Sequence, residues 1–279
     1  MRSFKNRLRG LIELLPYGVD LRLWLGRKRL GITYRGVFES HSEAMGSVSS
    51  SNNQYDLINR EKALHEKEER QSLDRPIPDF DYPLLFWLSR LLKPAGSVLD
   101  LGGSVGHFFY RSQQYFQHPP GIRWTIAELP AAVELGRRFA VEQKASGLSF
   151  FDSAQSPPWP TADILMTAGT LQYMEDSIED VLAGFESKPA HILVNSLPMH
   201  PIYDFWTLQD LGACEVPYHI VSESVWLAGM ERHGYRLVDR WTQPRKIQIP
   251  FYEKNSTESY TGFVFERLAL ADSVAALTR

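Results

Sequence analysis

The stretch Ser97 to Phe109, SVLDLGGSVGHFF, constrains this chain more than any other. Val98, Leu99 and Leu101 flank Asp100 in a β-favouring run that breaks at Gly102 and Gly103, and an apolar segment of helical length resumes after Gly106. The order predicted is strand, tight turn, helix. Glycine at such a turn reaches positive φ without a Cβ clash and lets a ligand approach the backbone, while the helix start adds N–H groups aimed at that ligand. A connecting turn needs one glycine; several of them behind a strand-end carboxylate predict a binding turn.

Spacing narrows the ligand. A dinucleotide fingerprint, G-x-G-x-x-G, fails at its second glycine, where Ser104 stands. A second strand-like run, Ile122 to Ala127, ends in Glu128 about 20 residues past the turn, where a doubly wound nucleotide site places the acid that binds ribose hydroxyls.

Length and composition set the frame. A chain of 279 residues with 43% hydrophobic and 23% charged residues is an ordinary globular protein with one main domain, and a net charge of -3 argues against general nucleic-acid binding. Cys214 is the single cysteine, which excludes an internal disulfide and suits a buried thiol in a reducing compartment. No apolar run reaches the length of a membrane span or a secretory leader, so the expected location is cytoplasmic.

The chain divides into three spans: 1–79, an N-terminal basic arm, flexible loop and mainly helical extension; 80–270, the main domain; and 271–279, a tail. In the arm, Phe4, Leu8, Leu11, Ile12 and Leu15 recur at helical spacing among Arg2, Lys5, Arg7 and Arg9, with Trp24 following. That pattern serves a helix docked on its own domain or one lying on a membrane surface, which leaves peripheral membrane contact open. Gly46 to Gln54 reads as a surface loop and Tyr55 to Ser72 as a solvated helix. Asp81 to Leu92 reads as a buried helix entering the domain.

After Glu128, Pro130 opens a helix running to about Ser146, and LSFFD follows as a third strand ending in Asp152. Asp163 to Thr167 is a fourth strand, turning at Ala168 and Gly169 into Leu171, Gln172 and Tyr173. A fifth, HILVNSL, ends at Pro198. A long loop then leads to a helix, Ser222 to His233, and two strand-like runs, Tyr235 to Trp241 and Tyr260 to Leu268, form an antiparallel pair. Alternating strands and helices predict a doubly wound, Rossmann-like α/β sheet.

Taken as acid-x-Gly-x-Gly-x-Gly, the run Asp100 to Gly106 resembles the cofactor turn of class I S-adenosylmethionine-dependent methyltransferases, with Ser104 in place of the middle glycine. More narrowly, VLDLGGSVG, ADILMTAGTLQY, YRGVFESHSEAM, YDLINREKAL and VPYHIVS are similar to a largely uncharacterised family of bacterial methyltransferases whose turn reads GGS-x-G. The likeness runs from about Thr33 to Arg267. It implies seven strands with the last antiparallel, S-adenosylmethionine as cofactor, and a small-molecule or glycan-linked acceptor tied to surface-polysaccharide biosynthesis.

The same resemblance implies roles. Asp100 would hold the methionyl amino end, directly or through water, and Gly102, Gly103, Ser104 and Gly106 would let the cofactor lie against the backbone. Glu128, an ionised acceptor with two oxygens, would take both ribose hydroxyls. Asp152 would face adenine with Leu129 as cover, and Ala168, Gly169 and Leu171 would wall the methionine. A hydroxyl acceptor also needs a proton acceptor; Tyr173 and His200 are the leading candidates, with His107 and His219 behind them. The histidines and carboxylates show no close metal-ligand spacing, so no metal is expected. A non-catalytic protein keeping the cofactor fold and a nicotinamide-dependent oxidoreductase are the alternatives; the oligomeric state is not written in the residues.

Overall fold

The computed structural model describes residues 33–48, 77–153, 158–211 and 214–268. The expected arm, the Tyr55 to Ser72 helix and the tail lie outside the described residues. In chain order the strands are β1 (Thr33–Phe38), β2 (Ser97–Leu101), β3 (Arg123–Glu128), β4 (Leu148–Asp152), β5 (Ile164–Ala168), β6 (His191–His200), β7 (Phe205–Asp210), β8 (Glu215–Ser222), β9 (Tyr235–Ile247) and β10 (Thr257–Arg267). The helices are α1 (His41–Gly46), α2 (Tyr82–Leu91), α3 (His107–Ser112), α4 (Pro130–Glu142), α5 (Ile178–Ala183) and α6 (Glu223–Arg232).

β2 to β6 are parallel in the order β4-β3-β2-β5-β6, β10 pairs antiparallel with β6, and β9 pairs antiparallel with β10. This is the expected seven-stranded sheet, doubly wound, with one strand reversed. β2 is apolar but for Ser97 and Asp100 because both its faces are covered, as parallel strands require. One face packs α2, α3 and α4 through Leu84, Leu88, Phe109 and Val133; the other packs α5 and α6 through Val181, Leu182, Trp226 and Met230. At the strand starts, the Asp163 carboxylate accepts from Ser97 N at 2.7 Å and from Ser97 Oγ at 2.8 Å. That tie sets where β2 begins beside β5, and therefore where both end. Their carboxyl ends flank the point at which the strand order reverses, the place where such sheets bind ligands.

Three features depart from the sequence expectation. β6 does not stop at Pro198 but continues to His200. It is admitted by a bulge: between Val194 and Leu197 it passes three steps where β10 passes two, from Phe263 to Thr261, and Ser196 takes φ +57 there. The expected loop beyond it contains β7 and β8, which pair with each other and, through β7, with β1, forming a side sheet joined to the end of β6 at Met199 and His200. Thr33–Phe38, inside the span expected to be mainly helical, is thus a strand. Among the described residues no helix is long and apolar enough to cross a membrane.

The hairpin β9–β10 is held close by Gly262, where an added Cβ would overlap the Trp241 indole. Gly262→Ala must therefore displace a partly buried ring. We expect a loss of about 1–3 kcal/mol in urea unfolding, the ordinary cost of overpacking; an unchanged midpoint would show that Trp241 has room to move.

Candidate functional site

The turn after β2 is built from behind. Gly102 N donates to Ala127 O at 2.8 Å, joining it to β3, and Gly106 N and His107 N both donate to Gly103 O. A Cβ on Gly102 would overlap the Thr170 side chain, and one on Gly103 would fall 2.5 Å from the Asp100 carboxyl. Glycine is needed at both because the protein's own side chains occupy the space behind them. Asp100 is 1% exposed, with Trp124 Nε1 at 3.3 Å from Oδ2. It lies beneath the turn rather than in front of it, so it shapes the backbone on which a ligand would rest. Ser104 takes φ +54, the conformation a glycine would adopt without strain.

On the next two strands, Glu128 and Asp152 are register partners at the carboxyl ends of β3 and β4, both half-buried. Glu128 Oε2 accepts from Leu129 N at 2.7 Å, a bond that orients the carboxylate at the strand end. Leu129 is extended and half-buried, leading into Pro130 at the start of α4. A cavity of about 410 Å³ between α4 and β4 is lined by Asp152, Phe151, Val133 and Arg137; it borders this pair but contains neither the glycine turn nor Glu128.

Beyond β5 the wall is looser. Around Gly169, at φ +72, an added Cβ would meet nothing nearer than Gln172 Nε2 at 3.7 Å and Ser196 Cβ at 3.9 Å. Gln172 is 3% exposed and its Oε1 has no hydrogen-bond partner among the described residues. A side chain at 169 would therefore meet its neighbours at ordinary van der Waals distance without overlap, with the buried acceptor of Gln172 beside it, whereas Leu171 packs into the core.

The proposed proton acceptors fare unequally. His200 is buried: Nδ1 accepts from Ile202 N at 3.1 Å and Tyr203 N at 2.8 Å, and Nε2 lies 2.9 Å from Lys254 O. Those bonds fix the tautomer with the proton on Nε2 and use both nitrogens on backbone, while burial holds the ring's pKa below its usual value. Both nitrogens of His200, expected as a base, are thus engaged by backbone, and the ring staples the end of β6. His219 Nε2 sits 2.7 Å from Asp204 Oδ1 with its ring stacked on Trp206, in the side sheet. His107 packs edge-on to Phe108. Tyr173, half-buried at the turn after β5, donates from its hydroxyl to Gln209 Oε1 at 2.9 Å.

A carboxyl that the sequence reading passed over stands in a better place. Asp81, 6% exposed, accepts at Oδ1 from Asn195 Nδ2 at 2.8 Å, and Asn195 Oδ1 accepts from Trp241 Nε1 at 3.0 Å. The indole fixes the amide orientation, and the amide in turn fixes the carboxyl. Asn195 is the register partner of Ala168, so Asp81 stands beside the carboxyl end of β5 with Oδ2 unclaimed by any described residue. Burial lifts its pKa from 3.8 to about 7, against the Asn195 bond and the charge of Arg111, which pull it down.

Between those two pH values the folded chain retains a proton that the unfolded chain has released, so this group's contribution to stability falls as pH rises from about 4 to 7 and is level above that. Asp81→Asn should remove the slope: the wild-type unfolding free energy relative to the variant is expected to drop by about 2–4 kcal/mol across the window. Parallel pH profiles would show that Asp81 titrates normally.

No protein family matches this chain, and no curated protein does. Among solved structures it is similar to an S-adenosylmethionine-dependent methyltransferase from Clostridium acetobutylicum ATCC 824, at 11% identity and a TM-score of 0.47, over 75% of this chain and 99% of the other. It is also similar to the Burkholderia thailandensis 1,6-didemethyltoxoflavin-N1-methyltransferase with bound 1,6-didemethyltoxoflavin and S-adenosylhomocysteine, at 15% identity and a TM-score of 0.46, over 79% and 92% of the two chains. A third, the mitomycin 7-O-methyltransferase MmcR, gives 16% identity and a TM-score of 0.44 over 75% of this chain, which spans 60% of that protein.

Proposed function

We propose that this chain is an S-adenosylmethionine-dependent methyltransferase acting on a small-molecule or glycan-linked acceptor. The observation that carries the reading is the alignment of strand ends: the turn over Asp100, then Glu128 and Asp152 in register on β3 and β4. The residues present fit the cofactor. The buried Oε1 of Gln172, without a partner among the described residues and beside the small Gly169, offers an acceptor for an ammonium group at its methionyl end. Glu128 would take the ribose hydroxyls and Asp152 the adenine amino group, with Leu129 beside it.

When bound, the cofactor supplies a methyl group already activated by a sulfonium. The chain's work is then to hold the acceptor atom in line and to exclude water. For a hydroxyl acceptor, Asp81 would be the residue that takes the hydroxyl proton, at Oδ2, and later releases it to solvent. A carboxylate whose pKa lies near 7 is matched to that transfer. Tyr173 lines the approach at the turn after β5.

S-adenosylmethionine and S-adenosylhomocysteine should each raise the unfolding free energy by about 2.7 kcal/mol at a hundredfold excess over the dissociation constant, visible as a rise in Tm. NAD should give no rise. Glu128→Ala removes charge-assisted bonds to the ribose, and affinity in titration calorimetry should fall roughly tenfold to a hundredfold. Stabilisation by NAD, with none by either S-adenosyl compound, would overturn the proposal.

A further inference from the structure

Four cations lie on β9: Arg236, Arg240, Arg245 and Lys246. Three have carboxylate partners: Arg236 with Glu266 at 2.8 Å, Arg240 with Glu223 at 2.7 Å and Lys246 with Glu258 at 2.8 Å. Arg245 has none among the described residues. Its guanidinium instead rests over the Tyr260 ring, 4.6 Å from the centroid, within electrostatic reach of Tyr34, Tyr173 and Tyr218.

The surroundings of Arg245 are ordered without any counter-charge. Tyr218 and Tyr260 share a hydroxyl hydrogen bond of 2.6 Å, and Gln209 links Tyr173 to Tyr34 through bonds of 2.9 Å at each end of its amide. β1, β7, β8, β10 and the turn after β5 all contribute, so the side sheet and the methyltransferase sheet meet at this arginine. An aromatic face behind a guanidinium fixes its plane and leaves the N–H edge to recognise a ligand. Two residues back on the strand, Gln243 has a buried Oε1 without a partner; two further back stands Trp241, whose indole reaches Asn195 and so Asp81. Trp241 and Gln243 are the register partners of Gly262 and Tyr260 on β10 and share one face; Arg245, at the bulge between Pro244 and Ile247, is brought to that face by its seat over the Tyr260 ring.

We infer that Trp241, Gln243 and Arg245, backed by Tyr260, form the acceptor subsite of this enzyme, and that the acceptor carries a phosphate or carboxylate held by the Arg245 guanidinium. The inference rests on the methyltransferase reading and names the acceptor's chemical class. A planar fork of N–H donors with no protein carboxylate to satisfy it is suited to bidentate binding of an oxyanion. An oxyanion at Arg245 and a hydroxyl donating to Gln243 would lie along the strand face that leads through Trp241 and Asn195 towards Asp81.

The test is titration calorimetry of the full chain, with and without saturating S-adenosylhomocysteine, against glucose 1-phosphate, glucuronate and neutral methyl glucoside. Wild-type protein should bind at least one of the two anionic sugars and not the neutral one, and the stronger of the two identifies phosphate or carboxylate. Arg245→Gln should weaken that binding at least tenfold and Arg245→Lys less, while Arg240→Gln, which removes a paired arginine, leaves it unchanged. S-adenosylhomocysteine affinity should stay within twofold in all three variants, and melting curves verify that each is folded. The inference is overturned if neither anionic sugar binds the wild type at 10 mM, if the neutral sugar binds equally, or if Arg245→Gln binds as the wild type does. S-adenosylhomocysteine failing to bind the wild type would sink the methyltransferase reading instead, and the titrations without it would still report on Arg245.

Discussion

The space behind one turn governs the site. Thr170 fills the volume next to Gly102, and the Asp100 carboxyl lies against Gly103, so the backbone from 102 to 106 is pressed between protein below and the crevice above. A buried carboxylate is costly to desolvate unless its surroundings hold it. A donor to the Asp100 carboxyl is Trp124 Nε1, 3.3 Å from Oδ2. The tie from Asp163 to Ser97 fixes the start of β2, the bond from Gly102 N to Ala127 O fixes its end against β3, and the register of β3 with β4 then places Glu128 beside Asp152.

The second organising relation is between that sheet and the strands added to it. β6 bulges at Ser196, stays paired with β10 as far as Pro198, and at Met199 and His200 pairs with β8, which carries the side sheet. His200 uses both ring nitrogens to close the chain where this extension ends. Tyr173 from the turn after β5, Tyr34 and Gln209 from the side sheet, and Tyr260 and Arg245 from the hairpin meet where the two sheets adjoin.

How much of this could be read from the residues follows from how local each signal is. Asp100 to Gly106, Glu128 and Asp152 belong to units in which strand, turn and helix follow within a few residues, and the structure places them where that grammar says. Asp81 was hidden because it is made significant by Asn195, 114 positions away, and by Trp241, 46 positions beyond that. Its immediate context, an acid before an apolar helix, reads as a helix start. β7 and β8 were hidden for another reason: Phe205–Asp210 is buried on both faces, which erases the alternation that marks a half-exposed strand, and Pro217 interrupts the other. The residues put His200 just past the fifth expected strand but do not show the backbone groups that occupy its nitrogens.

The central claim is that the cofactor lies over the turn above Asp100 and reaches Glu128. A crystal structure grown with S-adenosylhomocysteine tests it most directly. The account predicts density along Gly102 to Gly106, ribose hydroxyls within hydrogen-bond distance of the Glu128 carboxylate, and the methionyl end beside Gln172. Density seated instead in the cavity between α4 and β4, with Glu128 and Gln172 making no contact to it, would contradict the account.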